Sequence, residues 1–407
     1  EPYRRQRQMC IRDRNNNVYT LLLPVFILSL LSVPLGAMLA FIMTFTTPEF
    51  YNSKNTRYAL YMILALAISY INTTKPLFGS DLGYYYWLFD FAGKKSFINY
   101  FSLIPKEPLY HIYNYLLHII TLGSFNLFLV ITTVLCYMLI FVSYDTIVRH
   151  SDIDIRYVLL SAALFLLFIE FFFYTAQIIR QVLAGAVAFY GITKHLYESK
   201  RFALWLVAVA GLIHASAFFF LLYYVIYLLR NLKFTKLLFL VIGFLLVYKV
   251  FLSLLGNVFD DTSTLSIAIN RGLRGSGEQV SIGMIPLLVT CSILPMSGFV
   301  FLKSEDITEK LFFVFPMALV VFIMLNINTP LFVLRFMEYN YMFIPIALSI
   351  SSAYLFRSFP MWTVVLLLAV MLVRFCTKLG TSDFSYIPLF DYLSIGIPRY
   401  IVQLIKL

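Results

Sequence analysis

Charge is scarce in this chain. Asp, Glu, Lys and Arg together make up 13% of its residues, against about a quarter in a soluble domain. With 61% of residues hydrophobic and a mean hydropathy of +0.85, too little polar surface is left to clothe a water-soluble fold. Cysteine is nearly absent too: Cys10, Cys136, Cys291 and Cys376 show no paired spacing, which excludes a disulfide framework and a thiolate metal cluster. The five histidines, at 111, 118, 150, 195 and 214, form no ligand motif. No soluble segment interleaves aromatic and basic residues, so the net charge of +11 does not argue for nucleic acid. In Glu1–Arg14, five arginines stand against Glu1 and Asp13, which assigns +3 of that charge to the tail and +8 to the rest. A surplus of this kind is what cytoplasmic loops need to orient transmembrane helices.

What the chain does contain is apolar runs of roughly 20 residues separated by short polar loops, the length of a membrane-crossing helix. A β-barrel would show alternating segments of about ten residues instead. The expected fold class is all-α, a polytopic transmembrane helical bundle. Spans are predicted at 19–46, 58–73, 125–147, 157–175, 178–197, 203–229, 237–255, 282–302, 311–327, 334–356 and 360–377. Residues 1–14 resemble the translation of a sequencing adapter joined to a reading frame and are set aside; 15–407 reads as a single multi-pass domain with outer loops at 75–124 and 256–281. Within the first of these loops, Glu107 to Leu122 is short for a crossing and reads as an interfacial or re-entrant amphipathic helix. Basic loops at 149–156, 194–201, 230–236 and 303–310 are expected on the cytoplasmic side, and the turn at Arg180 on the outer side. One segment resists this scheme. Residues 203–229 carry a basic loop at each end, so either they do not simply cross or one loop breaks the charge rule.

Polar chemistry concentrates between Tyr174 and Ala217, where Arg180, Gln181, His214 and Ser216 interrupt apolar surroundings. A charge at mid-membrane costs ~2.5–3.5 kcal/mol on insertion scales, so such groups face a protein interior or a watery cavity. Ala184 and Ala188 continue the Arg180 face at helical spacing, Gly185 follows Gln181, and Gly211 and Ala215 repeat the pattern beside His214. Two such smooth faces would pack and bring Arg180 towards His214. Snorkelling of Arg180 and simple interhelical hydrogen bonding by His214 remain the alternatives. Elsewhere, Asp81 precedes Tyr84-Tyr85-Tyr86-Trp87 in an aromatic-rich loop, a composition that suits sugar stacking and a membrane interface alike. Arg335 and Glu338 lie three apart and are open to ion pairing or to anion binding. The glycines and arginines of 271–277 lack a P-loop's surroundings and read as a linker.

Four short motifs then fall in one order: Gly79-Ser80-Asp81 with Tyr84, Tyr85 and Phe89; Glu107-Pro108-Leu109-Tyr110; Arg180-Gln181 with Ala184; and His214-Ala215-Ser216-Ala217. Together with Arg335 they resemble the EpsG family, Wzy-like polymerases of exopolysaccharide and O-antigen repeat units, over most of 58–356. Lys75-Pro76-Leu77-Phe78 departs from the pattern, because the family often has an arginine there. The resemblance implies a bacterial glycosyltransferase of the cytoplasmic (inner) membrane with a GT-C-like architecture. Its substrates would be polyprenyl-pyrophosphate-linked oligosaccharides, and its surroundings the lipid bilayer with a flippase and a chain-length regulator of the same pathway. It also implies that Arg180, Gln181 and Arg335 hold the pyrophosphate, since guanidinium makes bidentate contacts with phosphate, and that no metal or cofactor is required. Asp81, then His214, then Glu107 are the catalytic candidates, and Tyr84, Tyr85 and Trp87 the sugar-stacking ones. A flippase of lipid-linked oligosaccharides and an O-antigen ligase are the competing readings. A transporter would carry inverted repeats, and none is evident.

Overall fold

Among the described residues the apolar runs fold as helix, and every described secondary-structure element is helical. The computed structural model describes residues 19–77, 81–103, 107–151, 153–258, 293–294, 297–298, 307–327, 330–356, 359–379 and 387–405. Among these, three helices are long and apolar enough to cross a membrane unaided: Phe125–His150, Thr308–Leu325 and Met361–Leu379. Arg156–Leu166 and Ile169–Gln177, bent by 60°, make a fourth when taken together. About eleven crossings were expected, and several of the runs that would make them are broken among the described residues. The 19–46 run breaks at Ser32, whose hydroxyl caps helix Val33–Thr46 with Pro34 in its first turn. The 334–356 run breaks between helices Pro330–Tyr341 and Ile344–Leu355. A break inside lipid frees backbone groups that must be satisfied internally. At this one the Tyr144 hydroxyl donates to the Met342 carbonyl at 2.7 Å.

The break that matters most is at His214. Helix Ala203–Ile213 ends there in extended backbone, and a 3₁₀ turn, Ala215–Leu221, leads into helix Leu222–Leu228. The second arm folds back on the first: the Tyr224 hydroxyl donates to the carbonyl of Leu204, twenty residues earlier in the chain. The fold-back needs Gly211, because a Cβ there would run into the Phe218 ring. Residues 203–229 are therefore a hairpin with His214 at its tip, not one helix. The conflict over charge at both ends disappears, since its two basic flanks lie at the same end of the bundle.

Hydrogen bonds define the two ends. At one, Arg57 and Arg149 both bond Asp145 at 2.6 Å, Lys194 Nζ donates to Thr146 at 2.9 Å, and His195 Nδ1 meets the Tyr223 hydroxyl at 2.7 Å. At the other, the Asn72 amide donates to Thr133 at 3.0 Å and to Thr175 at 2.8 Å. Helices Lys54–Asn72 and Phe125–His150 consequently run antiparallel, and Arg180, at the start of Ile179–Glu198, stands at the second end.

That second end also holds 81–120, within the 75–124 segment expected as an outer loop with one amphipathic helix. The segment forms helices Asp81–Gly93, Phe97–Leu103 and Pro108–Ile120. Its aromatic residues join the core of the bundle, with the Phe89 ring 5.0 Å from Phe128 and 4.9 Å from His118. Pro108–Ile120 buries His111, Asn114 and Leu117 while Leu116, Ile119 and Ile120 stay exposed, the asymmetry of a helix lying at an interface. Helix Phe234–Val258 runs past Gly256, where the other outer loop was expected to begin. The rest of that loop, with 271–277, and nearly all of the span at 282–302 lie outside the described residues, as does the tail 1–14. Two short C-terminal helices were not expected, Leu389–Leu393 and Ile397–Ile405. They dock through Tyr392 on the Ala67 carbonyl at 2.7 Å and through Ser124 on the Leu404 carbonyl at 2.7 Å.

Candidate active site

Glu107 ties the site together. It precedes Pro108 in left-handed backbone (φ 59°, ψ 57°), a conformation that costs a non-glycine residue ~1–2 kcal/mol. Its carboxylate does not cap the helix that it begins. Instead one oxygen accepts from Arg180 Nη1, while the other is bound by His214 Nδ1 and by the Ala215 backbone N–H at 3.3 Å. Three segments far apart in sequence, 107, 180 and 214–215, are thus joined by a single side chain.

The electrostatics fix the protonation pattern. Burial pushes the Glu107 carboxyl up, but the His214 hydrogen bond, the charges of His214 and Arg180 and the Ala215 N–H outweigh it and hold the group down at about 2. An ionised carboxylate only accepts, so His214 Nδ1 carries the proton in this bond, and a neutral His214 has its lone pair on Nε2. Arg180 gives one donor to Glu107 and lies against three rings, with its guanidinium carbon 5.7 Å from Tyr84, 5.6 Å from Tyr85 and 5.8 Å from Tyr110. Such a partnered, inward placement is not that of a snorkelling residue.

Asp81, Tyr84, Tyr85, Ile178, Arg180, Gln181, His214 and Arg335 line one cavity of about 200 Å³. Asp81 is the first residue of its helix, exposed to this space, and makes no hydrogen bond among the described residues. Gln181 is buried and donates through Nε2 to the Arg335 carbonyl, which fixes Pro330–Tyr341 against Ile179–Glu198. Gly185 permits that approach, because a Cβ would stand 2.6 Å from Met342 Cε. Arg335 forms no ion pair with Glu338 among the described residues, and its exposed side chain lines the cavity. Glu338 is buried, and its Oε2 finds no donor there.

The structure therefore brings Asp81, Tyr84, Tyr85, Arg180, Gln181, His214 and Arg335 to one cavity, with Glu107 binding two of them. Trp87 does not line it. It stands half-exposed in a stack, 6.1 Å from Tyr84 and 5.3 Å from Phe91. Gly79 and Ser80 lie outside the described residues. Lys75, in place of the family's arginine, is buried with Nζ 4.2 Å over the Phe173 ring; burial pushes its ammonium down to about 8, against the pull of Asp81. Sequence reasoning missed Tyr110 on Arg180, the Ala215 N–H, and the bond between Ser216 and the Tyr339 hydroxyl at 2.6 Å. Tyr110 and Ser216 stood inside quoted motifs, but no spacing rule pairs Ser216 with residue 339. No group of three or more metal-ligating side chains occurs among the described residues.

No curated protein and no solved structure matches the chain. A family model does, over residues 58–394, and its bounds enclose Asp81, Glu107, Arg180, His214 and Arg335. That match covers most of the sequence, and by it the chain belongs to the EpsG family.

Proposed function

We propose that this protein polymerises polysaccharide repeat units at the outer face of a bacterial inner membrane. The growing glycan would pass from a polyprenyl-pyrophosphate carrier to a sugar hydroxyl of an incoming lipid-linked unit. Membership of the EpsG family carries the coarser statement, a Wzy-like polysaccharide polymerase acting on lipid-linked oligosaccharide. The apolar helices fit a membrane protein, and a GT-C-like architecture belongs to the finer reading. The observation that carries the mechanism is the union of two arginines, the Asp81 carboxylate and a carboxylate-oriented histidine in one small cavity.

In the transfer, the bond between the donor's anomeric carbon and its pyrophosphate oxygen breaks while the acceptor oxygen bonds to that carbon. The acceptor proton goes to a base, and polyprenyl pyrophosphate leaves as the anion. Asp81 is the first choice for the base, since it lines the cavity and accepts no hydrogen bond from another described residue. His214 follows, because Glu107 leaves Nε2 as its accepting nitrogen. Glu107, held ionised at about 2, is too weak a base for the step and acts by positioning Arg180 and His214. Arg180 and Arg335 supply permanently charged donors where the negative charge collects, and Gln181 sets the distance between their helices. Tyr84, Tyr85 and the outward stack through Trp87 offer faces to sugar rings.

The test is purified protein incubated with defined lipid-linked repeat units and no nucleotide sugar. A ladder of lengthened lipid-linked glycans is expected. Movement of the units across a bilayer without lengthening would identify a flippase, and transfer only to a lipid A-type acceptor would identify a ligase.

A further inference from the structure

A second, larger cavity, of about 490 Å³, is lined by residues that follow two of the polar cavity's residues in sequence. Its chemistry is the opposite. Phe219, Phe322 and Phe336 meet ring to ring at 4.7, 5.3 and 4.9 Å and form an aromatic floor, while Leu222, Val225 and Phe244 form the sides. The linings of the two cavities include residues next to each other in sequence. Arg335 lines the polar one and Phe336 the apolar one; His214 lines the first, and Ala215 and Ser216 the second. Val225 is 42% and Phe244 55% exposed, so the groove opens on the side of the bundle, not at its end.

We infer that this groove seats the isoprenoid tail of the lipid-linked substrate, with the pyrophosphate at Arg335 and the tail running between the second arm of the hairpin and helices Phe234–Val258 and Ile307–Leu325. The inference rests on the proposed function, in that the substrate is lipid-linked. Three observations select this occupant. The polar cavity, at about 200 Å³, is below the range of about 300–1,000 Å³ that whole small ligands fill, so a long lipid attached there must leave it. The exit this groove offers carries no charged side chain. The exit is also walled by the segment that carries His214, so a seated tail fixes the catalytic tip in relation to the arginines. Since a tail inside a bilayer already sits among hydrocarbon, the groove contributes register and selection rather than membrane affinity.

The experiment uses a polyprenyl phosphate bearing a benzophenone in its first isoprene units, photolysed with the full-length protein in phosphatidylglycerol nanodiscs. Adducts are expected within 215–225 and on the helix that contains Phe244. Val225→Trp and Leu222→Trp, which fill the groove outside the catalytic residues, should lower that labelling about tenfold at matched abundance and unchanged thermal midpoint. Val225→Ala, which only widens it, should retain labelling and covers the case where a Trp variant fails to fold. Adducts elsewhere, labelling unchanged by both Trp variants, or equal competition by added phosphatidylglycerol would overturn the groove. Labelling needs no turnover: wild-type protein that labels here without elongating would leave the groove standing and remove the polymerase reading. Elongation accompanied by labelling at another surface would do the reverse.

Discussion

Asp145 and Glu107 are each held by two basic side chains, at opposite ends of the bundle, and they differ in what else surrounds them. Asp145 is fully buried; Arg57, 2% exposed, and Arg149 take its two oxygens, Tyr61 adds a bond at 3.4 Å, and a further Arg57 donor goes to the Tyr51 carbonyl at 2.6 Å. Those partners use each other up, and neither of the two cavities reaches them. Glu107 is partly buried, its partners Arg180 and His214 are 23% and 14% exposed, and both line a cavity that also holds Asp81 and Arg335. Buried charge alone therefore does not mark a site. Donors and acceptors that face a cavity after the pairing do, as Arg180 and His214 face the one they share with Asp81 and Arg335.

The sharpest way to break this contrast is Asp81→Asn. The amide keeps the shape and removes charge and basicity, so elongation should fall by ~10²–10⁴-fold with membrane abundance unchanged. Near-normal polymer would shift the base to His214. Disappearance of the protein would make Asp81 a scaffold acid, and the two ends would no longer differ in kind.

At the opposite end, Asp145→Ala should cost ~3–5 kcal/mol, because it leaves the buried Arg57 without a counter-charge. Folded yield should collapse, yet whatever protein survives in the membrane should elongate at the wild-type rate per molecule. A stable but inactive variant would show that this end also takes part in function.

Arg180 separates site from clasp by substitution chemistry. Arg180→Lys is expected to lose ~10²–10³-fold, nearly as much as Arg180→Ala, because a point ammonium does not reproduce a planar fork on a departing pyrophosphate. The readout is a polymer-length ladder at matched abundance, with single lipid-linked units accumulating. Full-length polymer from the Lys variant would remove Arg180 from the site.

Acid titration reaches the Glu107 cluster through its depressed carboxyl. With an ordinary value of 4.5 and a folded value of about 2, Glu107 contributes stability fully present above about pH 5 and lost as the pH falls towards 2. The contribution is at most on the order of 3 kcal/mol. Thermal midpoints in proteoliposomes from pH 6 to 2.5 should decline over this window in wild type and be flatter in Glu107→Gln. Parallel curves would mean that Glu107 is no better partnered when folded than when unfolded.

Much of the site was legible, because chemistry expensive in lipid stands out against a background of Leu, Phe and Ile. Arg180, His214, Asp81 and Arg335 were each visible for that reason, whereas the glycines read as part of a seam between the Arg180 and His214 helices meet other neighbours, Gly185 facing Met342 and Tyr339 and Gly211 facing Phe218. The His214 break was not legible. No proline marks it, Gly211 lies three residues earlier, and the apolar run continues on both sides, so hydropathy reports one span where the backbone makes two arms. The basic residues flanking 203–229 held the needed signal as a contradiction in sidedness. The short helices of 81–103 were hidden for another reason: aromatic residues suit interfaces, loops and packed helices equally, and only the contacts of Phe89 and Tyr85 decide among these.

Trp87 tests how far the Glu107 end extends beyond its cavity. Tyr84, Trp87 and Phe91 follow helical spacing and stack with interplanar angles of 22° and 12°, so flat aromatic faces continue outward from the ring that also meets Arg180. If the acceptor glycan lies along this stack, Trp87→Ala should raise KM for the lipid-linked acceptor by about 2–10-fold, the equivalent of ~0.5–1.5 kcal/mol of aromatic contact. The turnover rate at saturating acceptor should stay put, and Trp87→Phe should recover most of the loss. A tryptophan that serves only to seat the helix at the membrane interface behaves differently: its removal lowers membrane abundance and leaves KM alone. Tyr84→Ala supplies the internal scale. It removes a face of the stack and one of the three rings around Arg180, so its effect should exceed that of Trp87→Ala and reach the turnover rate as well. Equal, KM-only effects from both would confine Tyr84 to the stack; an unchanged KM in Trp87→Ala at normal abundance would end the Glu107 site at Tyr84.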